Sequence, residues 1–219
     1  MLANELISQI IMPLHTSDTG EEALNMMHVY HVRHLPIVNG SSLLGVISEE
    51  DILVQPLSEA IGSYRLSMVN PVCHENDHLF EIMSRLGKFQ LTVIPVLGED
   101  ETYLGLITLD AVVHHFATQY AFTEPGSILV LESSTTNFSL AEVARIAESE
   151  DISILASFVH SVPDSTRLFV TLKLNRQSLA GFRSTLERFG YVVSATFAES
   201  TYPEYLRERY DGLMSYLGV

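Results

Sequence analysis

The stretches "GVISEEDI" (residues 45–52) and "GLITLDAV" (residues 105–112) carry a Gly, an apolar residue, an Ile and a hydroxyl residue in the same order. Two copies of one pattern sixty positions apart mark an internal repeat, and a repeat governs how everything around it is read. Working outward, "VRHLPIV" (32–38) matches "LTVIPVL" (91–97) at an offset of 59, which lays Pro36 over Pro95. Each unit then has the same order. An amphipathic helix (21–30; 79–88) leads to a short apolar strand with its proline and a polar turn ("NGSS"; "GEDET"). A second strand ("LLGVIS"; "YLGLIT") and another helix follow. A unit with two short strands and one apolar face cannot close a core alone, whereas two packed together can.

The copies differ where chemistry would sit. In the first, Ser48 is followed three places on by Asp51; in the second, Thr108 is kept but Ala111 replaces the acid, and Asp110 comes one place early. A one-residue shift turns a helical side chain by about 100°, so Asp110 is no substitute. S-x-x-D at a strand-to-helix junction has two readings. One is a capping box, with Ser48 at the N-cap and Asp51 at the third helical position, each satisfying an orphan backbone N–H. The other is a ligand site, since a carboxylate there can accept hydrogen bonds from two vicinal hydroxyls. The two roles can coexist.

The whole chain has 219 residues, 47% hydrophobic and 18% charged, enough for two domains with buried cores. No apolar run approaches the roughly 18 residues of a membrane helix. "MLANELISQI" lacks the basic segment and long apolar block of a secretory signal. Cys73 is the single cysteine, which excludes an internal disulfide framework and fits a reducing cytoplasm, the expected location. The formal net charge is -15, with 15 acids and 4 bases up to residue 120 against 12 and 8 after it. Nucleic-acid binding needs clustered Lys and Arg; none exist here, and neither nucleic acid nor membrane is an expected partner.

Past residue 120 the pattern changes. Pro125-Gly126 in "FTEPGSI" (122–128) punctuates a helix that starts near Leu109 and reads as a domain boundary. Then come strand "SILVLES", helix "SLAEVARIAES", strands "ISILASFVH" and "TRLFVTLKL", helix "SLAGFRSTLERFG" and strand "YVVSATFA". This is βαββαβ, the ferredoxin-like order. A last amphipathic helix from about residue 203 aligns Leu206, Tyr210, Leu213 and Leu217 on one face.

The repeat, the apolar-Pro strand and the Gly-apolar-Ile-Ser/Thr segment together resemble the cystathionine β-synthase (CBS) domain family over about residues 1–120. The βαββαβ segment after it resembles an ACT domain. Its "SSTTNFS" loop departs from that family's usual Gly-containing ligand loop. The whole order resembles stand-alone bacterial CBS–ACT regulatory proteins of the acetoin-utilisation type. The expected fold is therefore α/β (α+β): CBS repeat 1 over 1–60, CBS repeat 2 over 61–122, and an ACT-like ferredoxin-fold domain with an extra C-terminal helix over 127–219.

The resemblance implies a regulatory module that binds adenosine-containing ligands such as AMP, ATP, S-adenosylmethionine or NAD, with no obligatory cofactor. It implies that Ser48 and Asp51 contact the ribose, and that Ile11, Met12 and Pro13 stand where the family places an adenine-facing wall; they read equally as core residues. Pro36 and Thr108 complete the candidate set, and the second cleft, lacking its acid, is not a conventional ribose site. Arg33 and His34 read either as a phosphate contact or as a solvated helix-to-strand link. The acidity of the first half disfavours tetra-anionic ATP without magnesium, and suits AMP, other adenosine derivatives or a cationic sulfonium. The implied partners are that small molecule, a second copy of the chain in a homodimer, and a downstream protein target.

The chain has 9 histidines, with His28, His31 and His34 at every third position and Cys73, His74 and His78 close together. Scattered surface residues are the plainer reading than a metal site. No nucleophile–base pattern, Walker loop, dinucleotide fingerprint or metalloprotease helix is present, so a non-enzymatic protein is expected. The rival readings are a purely structural oligomerisation protein and a metal or ion sensor.

Overall fold

The computed structural model describes residues 1–67, 70–198, 214 and 216. The chain divides into two units, Met1–Ala117 and Thr118–Val219. The helix read from residue 203 lies outside the described residues, apart from Met214 and Tyr216.

In the first unit, helix α1 (Gly20–Tyr30) starts at a capping box. Thr19 Oγ1 accepts from Glu22 N–H (3.3 Å), and the Glu22 carboxylate accepts from Thr19 N–H (2.8 Å). It stops at His31, in the left-handed conformation at φ 55°. Strands β1 (His34–Asn39) and β2 (Ser42–Ser48) pair antiparallel, with His34 opposite Ser48 and Ile37 opposite Gly45, and α2 (Glu49–Leu53) follows. The second half repeats this with β3 (Cys73–His74), α3 (Leu79–Lys88), β4 (Val93–Leu97), β5 (Tyr103–Thr108) and α4 (Leu109–Ala117). Equivalences hold in detail. Gln90 takes the left-handed turn that His31 takes, and Val96 faces Gly105 as Ile37 faces Gly45.

Why neither half stands alone is visible in the cores. Ile61, Tyr64 and Leu66, which open the second half, pack with Leu14, Met27, Leu35, Ile47 and Ile52 of the first. Ala3, Leu6 and Ile7, which open the first, pack with Ile82, Ile94, Val96 and Ile107 of the second. Each half lends its opening segment to the other. These segments cross directly over the two repeat glycines. A Cβ on Gly45 would lie 2.6 Å from Leu66 Cδ1, and one on Gly105 2.5 Å from Ile7 Cγ2 and 3.0 Å from Ser8 O. The shared Gly of the two motifs is thus a crossing point for the exchanged segments.

In the second unit, a short helix α5 (Tyr120–Thr123) precedes β6 (Ser127–Ser134), α6 (Leu140–Ser149), β7 (Ile154–Ser161), β8 (Arg167–Leu174), α7 (Ala180–Arg188) and β9 (Val192–Ala198). The sheet order is β7-β8-β6-β9, every pair antiparallel. That is the ferredoxin-like arrangement read from the sequence. Alternate residues of the strands (Leu129, Leu131, Val170, Leu172, Leu174) meet Val143 and Ile146 of α6 and Phe182 and Leu186 of α7 in one core. The alternate positions on β6, β7 and β9 leave Ile128, Phe158 and Phe197 exposed.

Candidate functional site

The Ser48–Asp51 segment forms the full capping box. Ser48 is the N-cap of α2; its Oγ accepts from Asp51 N–H (3.0 Å), and Asp51 Oδ2 accepts from Ser48 N–H (3.2 Å). Both residues are buried, Asp51 with 6% of its surface exposed. Burial pushes the Asp51 carboxyl up, but hydrogen bonds from Ser67 and Ser48 outweigh it and leave its pKa below the ordinary value of 3.8. Asp51 is therefore a buried, stabilised anion at the start of a helix.

Beside it lies a cleft of about 170 Å³ lined by Arg33, His34, Ser48, Glu49, Glu50, Ser67, Phe89 and Gln90. Asp51 sits just behind this lining, held by two of its members, Ser48 and Ser67. Ser67 belongs to the exchanged segment, and Phe89 and Gln90 to the end of α3, so the second half builds one side of the cleft.

Of the residues predicted from sequence, Ser48, Arg33 and His34 line the cleft and Asp51 backs it. Ile11, Met12, Pro13, Pro36 and Thr108 lie outside that lining. Ile11 is a buried member of the first half's core, Pro36 is buried in β1, Met12 is exposed and Pro13 half-buried. Segment 11–14 runs beside β1, where Leu14 bridges Ile37, while Ser8 pairs with Leu106 of β5. The counterpart of Ser8 at the offset of 59 is Ser67, and it is Ser67, rather than segment 11–14, that meets Asp51. In the second half Thr108 Oγ1 accepts from Ala111 N–H (3.0 Å), half of a capping box with no acid to return the bond.

His34 is 8% exposed. Its Nδ1 accepts the backbone N–H of Thr92 (3.2 Å) and lies 3.1 Å from Thr92 Oγ1. An accepting Nδ1 puts the proton of the neutral ring on Nε2. Burial first, then the neighbouring Arg33, hold the His34 pKa below its ordinary 6.5, against the opposing pull of Glu50, Asp51 and Glu49. Arg33 is itself committed: Nε reaches Glu49 Oε2 at 3.2 Å and Nη2 reaches Glu50 Oε1 at 2.9 Å.

The rings of His28 and His31 meet edge-on with centroids 6.4 Å apart. Among the described residues no three His, Cys, Asp or Glu side chains gather to hold a metal, and no helix is long and apolar enough to cross a membrane.

The family model described as "CBS domain" matches residues 3–57 and 65–118. An inosine-5'-monophosphate dehydrogenase from Methanocaldococcus jannaschii is 24% identical over 184 residues, 82% of this chain and 36% of that protein. A homoserine O-acetyltransferase from Methanobrevibacter ruminantium is 26% identical over 116 residues, 52% of this chain and 24% of that protein. The chain thus spans about a third or less of the curated relatives it matches. Among solved structures, a CBS domain pair/ACT domain protein from Thermotoga maritima aligns over 53% of this chain and 96% of its own, with 20% identity and a TM-score of 0.48. A CBS domain pair solved in complex with 5'-methylthioadenosine and S-adenosyl-L-methionine aligns over 53% and 96%, with 21% identity and a TM-score of 0.44. The repeat, its exchanged segments and the family match lead to one conclusion: the chain belongs to the CBS-domain family, with a tandem CBS pair over residues 3–118 followed by a ferredoxin-like α/β unit.

Proposed function

We propose that this is a non-catalytic regulatory protein whose CBS pair binds one adenosine-containing ligand at the Ser48–Asp51 cleft. The observation that carries the reading is Asp51: an anion buried at a helix start, hydrogen-bonded to Ser48 and Ser67 on the wall of a cleft that both halves build. A carboxylate is acceptor-only with about four lone-pair sites. Ser67 holds part of that capacity, and a ribose diol takes it over on binding. This matches, residue for residue, the Ser/Thr-x-x-Asp ribose contact that membership of the CBS family implies. The ferredoxin-like unit would carry the response to a partner. Thermal-shift titration with adenosine, AMP, ATP, S-adenosylmethionine and NAD tests the reading. A ligand at 100 times its dissociation constant stabilises by about 2.7 kcal/mol, a readily measured rise in Tm. No shift with any of them would overturn it.

A further inference from the structure

We infer that the cleft selects a phosphate-free adenosine derivative, neutral or cationic, over any adenosine phosphate; this deepens the proposed function and rests on it. The cleft's one guanidinium, Arg33, is the natural group for a phosphate, but Glu49 and Glu50 hold it at 3.2 and 2.9 Å. With Asp51 behind the wall, three carboxylates stand against one guanidinium. A phosphate entering this cleft meets a net negative field, and the Arg33 charge that would draw it is already neutralised by the two carboxylates on Nε and Nη2. A neutral nucleoside meets neither obstacle, and a positively charged 5' substituent is drawn in.

A second, independent feature points to an uncharged recognition group. His34 lines the same cleft with 8% of its surface exposed. Thr92 occupies Nδ1, and among the described residues Nε2 has no hydrogen-bond partner. Nε2–H is thus a neutral donor at the cleft wall, suited to a nucleoside oxygen or ring nitrogen and supplying no charge to a phosphate. The Asp51 carboxylate reads a diol, His34 reads an acceptor, and the acidic pair repels a phosphoryl group.

The test is calorimetric titration of the full chain with 5'-methylthioadenosine, S-adenosylmethionine and AMP at low and at high salt. The expected order at low salt is S-adenosylmethionine and 5'-methylthioadenosine at least about tenfold tighter than AMP. That gap should narrow at high salt, because exposed charges are screened beyond about a Debye length. In the double variant Glu49→Gln/Glu50→Gln, which frees Arg33, the AMP-to-methylthioadenosine affinity ratio should move about tenfold toward AMP. Tighter binding of AMP by the wild type, or a ratio unmoved in the double variant, would overturn the inference while leaving the adenosine site standing. Binding of none of the three would overturn the site as well.

Discussion

The backbone N–H of Thr92, in the second half of the CBS pair, donates to Nδ1 of His34 in the first, at 3.2 Å. Thr92 is the repeat equivalent of Arg33, whose own N–H donates to Thr92 Oγ1 at 2.8 Å. The two halves are joined at their equivalent positions, and the join requires an unprotonated Nδ1. His34 is held neutral, with a pKa below its ordinary 6.5. As pH falls below that value the unfolded chain takes up a proton the folded chain refuses, so stability is full above it and declines on acidification. Denaturant unfolding across this window should show the decline in the wild type and a flatter profile in His34→Gln. Parallel profiles would contradict the linkage. Asp51, with its own lowered pKa, adds a separate loss at more acid pH, beneath its ordinary 3.8.

The exchange of opening segments gives Gly45 and Gly105 different tolerances. In Gly45→Ala the new methyl meets the far end of Leu66, a side chain able to turn; in Gly105→Ala it meets Ser8 backbone oxygen at 3.0 Å, at φ +149°. Both variants should lose stability, on the order of 1–3 kcal/mol for overpacking, with Gly105→Ala the worse. Urea unfolding checks the order, and equal tolerance of both would remove the crossing-point account.

Much of this was legible in the sequence because its signals are local. The offset of 59 placed both hairpins, and the capping box at Ser48 could be read from four residues. The βαββαβ order followed from periodicity alone. The partner of Asp51 was not legible. Ser67 lies in a segment whose similarity to residues 1–8 is only Ser67 over Ser8 and apolar character, and which packs on a core distant in sequence. "SEED" announced negative charge, but its engagement of Arg33 depends on the β1–β2 register that sets His34 opposite Ser48. Ile11 followed its apolar character into the core.

Ala111→Asp should repair the half-built cap of α4. Thr108 Oγ1 already accepts from the backbone N–H of residue 111 at 3.0 Å. A carboxylate there would return a bond to Thr108 N–H and favour the helix start. A gain of about 0.5–1 kcal/mol in unfolding free energy is expected. A loss would show that the position does not admit the side chain.

The ferredoxin-like unit exposes Ile128, Phe158, Val192 and Phe197. Large exposed apolar residues grouped on one sheet favour association, and a closed twofold is the commonest solution. A homodimer is expected in sedimentation velocity at micromolar concentration. A monomer there would contradict it.

The central claim is that the Asp51 carboxylate binds ligand and does not merely cap α2. Calorimetric titration of wild type and Asp51→Asn with the tightest adenosine compound from the thermal screen separates the two roles. The amide oxygen of the substituted side chain can still accept from Ser48 N–H but its NH2 cannot accept from Ser67, so a ligand-free stability loss of up to about 1.5–3 kcal/mol is expected, which unfolding curves measure apart from binding. Losing a charge-assisted hydrogen bond costs about 1.5–3 kcal/mol, and tenfold in affinity corresponds to about 1.4 kcal/mol. Asp51→Asn is therefore predicted to bind about ten- to a hundredfold more weakly; binding equal to wild type would show that the carboxylate serves the helix alone.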